Sequence, residues 1–120
     1  MGLIHLTVKL RNLGSANGAY EAEFLVDTGA TDSLVPASEL NNIGVQPVGK
    51  TTYELANGEV VEYEFGLAEI GFMGVVTAGR VIFGPDNSEP ILGVPALESV
   101  GIVVDPANRT LRRLPAIPLK

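Results

Sequence analysis

From position 4 the chain alternates Ile4, Leu6, Val8 and Leu10 with His5, Thr7, Lys9 and Arg11. That period of two belongs to an extended strand with one face buried and one face wet. The pattern recurs. Tyr20, Ala22, Phe24 and Val26 oppose Glu21 and Glu23, and residues 51–65 read as a hairpin around Asn57-Gly58, a dipeptide suited to tight turns. Residues 12–18 form an earlier turn ending in Asn17-Gly18. Further strands are expected over 67–72 and 75–83, joined at Gly71-Phe72-Met73-Gly74, and over 102–105 and 110–114 around Pro106-Ala107-Asn108. Many short strands with Gly-rich turns describe a mostly-β barrel or sandwich. A doubly wound fold needs strands alternating with long helices, and that alternation is missing.

Helix signals are two and short. Pro36 stands where a first helical residue belongs and Gly44 where a C-terminal cap belongs, bracketing 37–43; Pro95 and Gly101 bracket 95–100 in the same way. Val35-Pro36-Ala37 leading to Ile43-Gly44 and Val94-Pro95-Ala96 leading to Val100-Gly101 suggest an internal repeat of strand, short helix and glycine.

Composition excludes several classes. At 120 residues, 46% of them apolar, the chain is expected to form one domain over 1–120, with a Pro-rich tail at 115–120. It has no Cys, so disulfides, thiol nucleophiles and thiolate metal sites are out. No apolar run reaches the ~18 residues of a membrane span and no charged-then-apolar leader precedes the first strand, so a cytoplasmic protein is expected. Residues 21–105 hold all 14 acidic side chains and, of the basic ones, only Lys50 and Arg80. An acidic body argues against nucleic acid as a partner, and no membrane partner is expected.

Asp27 is the candidate for chemistry. It closes an apolar strand and precedes Thr28-Gly29-Ala30-Thr31, so backbone N–H groups and hydroxyls can hold its carboxylate rigidly. The tripeptide Asp27-Thr28-Gly29 is equally readable as a turn in which Asp27 accepts local hydrogen bonds.

The longer stretch Phe24-Leu25-Val26-Asp27-Thr28-Gly29-Ala30-Thr31-Asp32-Ser33-Leu34-Val35-Pro36 resembles the active-site segment of retropepsin-like (clan AA) aspartic proteases, particularly small bacterial ones. Ile91-Leu92-Gly93 matches that family's apolar-apolar-Gly signature before a short helix, and 51–65 its flap. The resemblance covers roughly residues 3–114 and implies the acid-protease fold: a closed β-barrel with one or two short helices, one lobe per chain. It implies an aspartic endopeptidase that needs no cofactor or metal. Such enzymes use two carboxylates sharing one proton, and this chain has a single Asp-Thr-Gly, so a homodimer acting on a polypeptide substrate is implied. Thr28, Gly29, Ala30, Ile91, Leu92 and Gly93 would support the active-site loop. Tyr53, Leu55, Ala56, Asn57 and Gly58 would close over substrate, with Asp32 beside them.

Two departures stand out. The viral enzymes carry an Arg after the second signature and an acid four residues after the catalytic one; here those places are Val94 and Thr31, so that ion pair is absent. Tyr53 reads as a hydroxyl donor near the site or, the plainer reading, as an ordinary sheet tyrosine. Asp32, Asp86 and Glu89 read as pocket acids favouring basic substrate side chains or, more plainly, as solvated loop acids. His5 reads as surface decoration. The rival function is a non-catalytic dimerisation or peptide-binding module on the same fold. An aspartyl-phosphate phosphatase also places Asp after an apolar strand, but would need long crossover helices.

Overall fold

The computed structural model describes residues 3–15 and 18–119. Nine strands and two short helices are found among them: β1 (His5–Asn12), β2 (Tyr20–Asp27), β3 (Ser33–Pro36), α1 (Ala37–Asn42), β4 (Gly49–Glu54), β5 (Val60–Phe72), β6 (Val75–Gly84), β7 (Ile91–Gly93), α2 (Val94–Glu98), β8 (Ile102–Asp105) and β9 (Thr110–Arg113). The main sheet runs β1-β2-β7-β3-β6-β5-β4, and β1 also pairs with β5. That extra pairing closes six strands into a barrel and leaves β4 outside, bonded among the described residues to β5 alone. β8 and β9 make a separate two-stranded ribbon.

The alternation seen in β1 and β2 sends Val8, Leu10, Phe24 and Val26 into the core with Val35, Leu40, Ile70, Val81, Leu92, Leu97 and Ile102. Asn17 of the expected Asn17-Gly18 turn lies outside the described residues.

The strand expected to end at position 65 does not end there. β5 continues for 13 residues from the flap into the barrel wall. Gly66, which reads as a break, is a point of close approach: a Cβ there would lie 2.7 Å from the Val45 side chain and 2.9 Å from the Gln46 carbonyl. The glycine admits residues 45–46 against the strand, and the ladder with β6 runs through it unbroken.

Both strand–helix–glycine units are present. β3 leads into α1 and then Gly44 (φ +83°); β7 leads into α2 and then Gly101 (φ +76°), both glycines in the left-handed region that side chains avoid. The units meet at the barrel centre. β2 runs parallel to β7, β3 runs parallel to β6, and β3 and β7 touch antiparallel at Leu34 and Ile91. Pro36 occupies the N-cap of α1, one place earlier than the sequence suggests, and offers no side-chain cap. Asp86 supplies it from the β6–β7 loop, its Oδ1 accepting from the Ser38 N–H at 3.0 Å. No helix among the described residues is long and apolar enough to cross a membrane.

Candidate active site

Parallel pairing of β2 with β7 sets Asp27 opposite Gly93, so the two sequence signatures form one structural unit. β7 runs so closely beneath the 27–32 loop that a side chain at position 93 would crowd the loop backbone. A Cβ on Gly93 would stand 3.1 Å from the Asp32 carbonyl carbon and 3.2 Å from the carbonyl oxygens of Ala30 and Asp32. The Gly93 N–H donates to Ser33 Oγ at 3.0 Å, and Ser33 is the buried polar side chain of the described core. Sequence reading passed over this serine; its place directly after the loop's last acid was the available hint. Gly93→Ala is expected to lower unfolding free energy by about 1–3 kcal/mol, read from the shift in a urea transition, because the atoms it strikes are backbone.

Of the loop's two carboxylates, Asp32 is held by side chains of other strands and Asp27 by the loop itself. Asp27 Oδ1 accepts the Gly29 N–H at 2.9 Å, and the Ala30 N–H donates to the Asp27 carbonyl at 3.2 Å. This Asx-type turn orients the carboxylate, and among the described residues Oδ2 has no protein partner. The turn reading and the catalytic reading are therefore compatible: the turn holds one oxygen and leaves the other without a protein partner among the described residues.

Asp27 is the shared wall of two clefts. The first, about 460 Å³, is lined by Asp27, Gly29, Ala30, Thr31, Asp32, Leu34, Tyr53, Glu54, Leu55, Ala56, Tyr63, Ile82 and Ile91. The second, about 480 Å³, opens on the other side among Leu3, Ile4, Leu25, Val26, Thr28, Val104, Pro106 and Arg109. Thus Ile91, Tyr53, Leu55, Ala56 and Asp32 join Asp27 in one cleft, Thr28 faces the other, and Leu92 and Gly93 are buried beneath. Asn57 and Gly58 line neither. They build the flap tip, where Asn57 Oδ1 accepts the Glu59 N–H at 2.9 Å, the Gly58 N–H donates to the Leu55 carbonyl at 2.9 Å, and Gly58 takes φ +86°.

Tyr53 is more than a sheet residue. Its hydroxyl donates to Asp32 Oδ2 at 2.6 Å. Burial, reinforced by that bond, holds the phenol pKa above its ordinary value, which keeps the proton available for donation. Asp32 also receives Arg80 Nε at 3.2 Å, a partner that lies far along the chain in β6 and carries no local signal of the pairing. Asp86 and Glu89 are not cleft acids: Asp86 caps α1, and Glu89 meets His5 Nε2 at 3.1 Å. No cluster of three or more His, Asp or Glu side chains suited to a metal ion occurs among the described residues.

A family model described as "gag-polyprotein putative aspartyl protease" matches residues 13–99, from the end of β1 through α2. Among solved structures, the chain is similar to EIAV protease complexed with the inhibitor HBY-793, at 22% identity over 83% of this chain and 89% of that one, with a TM-score of 0.56. A retropepsin-like aspartic protease from Rickettsia conorii is matched at 21% identity over 88% of this chain and 95% of that one, with a TM-score of 0.46. The likeness to the EIAV enzyme is one of fold. No curated protein matches the sequence.

Proposed function

Since the chain belongs to the gag-polyprotein aspartyl protease family, we propose that it is a retropepsin-like aspartic endopeptidase whose active site forms between two copies, each giving one Asp27 across a two-fold axis. The observation that carries this reading is the setting of Asp27. One oxygen is fixed by Gly29, the other has no protein partner among the described residues, and the residue stands between two clefts. A single carboxylate cannot both take a proton from water and donate one to the scissile carbonyl. Two sharing one proton can: the ionised member acts as base on the water, and the protonated member stabilises the developing oxyanion.

Each cleft then has a task. The flap-side cleft takes an extended peptide. β4 has a free edge beside it, so strand addition supplies backbone recognition, and β4 with the first half of β5 closes over the peptide and excludes water. The second cleft, with Thr28 and the apolar Leu3, Leu25, Val104 and Pro106 around it, is the face a second copy covers. Thr28 then meets its symmetry mate beneath the aspartates. The domain extends over the whole sequence, 1–120.

Sedimentation equilibrium and cleavage of an unfolded protein at mildly acidic pH test the reading together. A dimer that cleaves is expected. A verified dimer with no peptidase activity would leave the non-catalytic peptide-binding module as the function of this fold, and a strict monomer at high concentration would leave Asp27 without its partner.

A further inference from the structure

Arg80, in β6, reaches three elements at once. Nε donates to Asp32 Oδ2 on the active-site loop at 3.2 Å. Nη2 donates to Thr51 Oγ1 at 2.7 Å and to the Tyr53 hydroxyl at 3.3 Å, both on β4. The guanidinium carbon stands 3.8 Å from the centroid of the Phe65 ring, a stacked placement that Arg adopts and Lys does not reproduce. Asp32 Oδ2 thus receives two donors, Arg80 and Tyr53, and the Asp32 side chain keeps only 11% of its exposure.

This arrangement bears on the reading of Asp32 as an acid that draws basic substrate side chains into the cleft, because its carboxylate is already paired. Its neighbours there include Leu34, Tyr63, Ile82 and Ile91, and an unpaired carboxylate among such groups would demand a cation. We propose that Arg80 is a positioning residue that sets specificity: by pairing with Asp32 and clamping β4 through Thr51 and Tyr53, it keeps the flap-side cleft selective for uncharged substrate side chains. Without Arg80, Asp32 recruits a Lys or Arg of the substrate into the vacated place. Charge compensation within the site acts here as discrimination against the wrong ligand.

The inference rests on the endopeptidase reading, so its test has one arm that does not need catalysis. Wild type, Arg80→Met, Arg80→Met/Asp32→Asn and Arg80→Lys are each given a mixed peptide library, and the products are sequenced by mass spectrometry. Arg80→Met is expected to raise the share of cuts flanked by Lys or Arg at one subsite by about tenfold. The double variant is expected to return to the wild-type preference, because the unpaired charge is gone. Arg80→Lys, which keeps the charge, is expected to retain the uncharged preference and guards against a Met variant that does not fold. An unchanged preference in Arg80→Met, a basic preference surviving in the double variant, or one appearing in Arg80→Lys would each overturn the proposal. In the second arm, amide hydrogen exchange over residues 49–56 is expected to speed up in Arg80→Met and to stay near wild type in segments remote from the cleft. Unchanged exchange over 49–56 overturns the clamp. Absence of cleavage in the wild-type dimer instead counts against the endopeptidase reading and leaves the exchange result to decide the clamp by itself.

Discussion

Replacing Asp27 with Asn is expected to reduce cleavage of an unfolded protein by about a thousandfold or more, with little change in stability. Asn is nearly isosteric and keeps a carbonyl oxygen where Oδ1 accepts the Gly29 N–H, so the turn survives and the unfolding free energy should move by less than about 0.5 kcal/mol. The amide can neither take a proton from water nor share one with its mate. In a two-fold dimer the single substitution removes both halves of the acid–base pair, and each role is worth orders of magnitude in rate. Mixing separates a shared site from two independent ones. When wild-type and Asp27→Asn chains exchange freely at equal amounts, about a quarter of the dimers carry two aspartates, and activity should fall to that fraction. Activity proportional to wild-type chains, about one half, would mean that each chain works alone.

Leu92→Ala is expected to cost about 2–5 kcal/mol, a large part of the ~5–15 kcal/mol that holds a typical domain together. Leu92 is fully buried in β7, the central strand between β2 and β3. Truncation leaves a cavity where two elements bearing the site meet, and the flanking ladders resist collapse into it. Urea denaturation measures the loss. Its neighbour Ile91 supplies the contrast: half-buried and facing the flap-side cleft, Ile91→Ala should cost less stability and alter cleavage preference more. Equal stability losses at both positions would mean that β7 does not divide its side chains between core and cleft in this way.

Local chemistry was legible in the sequence wherever one element decided it. The alternation of Ile4 to Arg11 marked β1, Pro36 and Gly44 framed α1, and Asp27 stood out at the end of its strand, while Ile91-Leu92-Gly93 was marked only by the family resemblance. What escaped was settled by partners far along the chain. Gly66 reads as a break until residues 45–46 are seen packed on it. Asp86 reads as a loop acid until α1 arrives with a proline at its N-cap. Tyr53 and Asp32 gain their roles from Arg80, whose own position in β6 reads merely as one place in an alternating strand. Ser33 had only its place after Asp32 to mark it, because a buried serine is recognised by the N–H it serves, and that group belongs to Gly93.

The same long-range ladders govern when the site comes into being. Asp27 is placed by pairing with Gly93, β3 by pairing with residues 81–84, and the barrel closes only when β1 meets β5. Loop-closure entropy must be overcome before such distant contacts contribute, so Asp27 is expected to be placed later in folding than the local β5–β6 hairpin forms. In the dimer proposed above, docking of two folded chains would come later still. A chain emerging from the ribosome therefore carries Asp27 without this placement until residues 91–93 have also emerged. In the proposed enzyme, that delay keeps proteolysis from starting before both folding and pairing are complete.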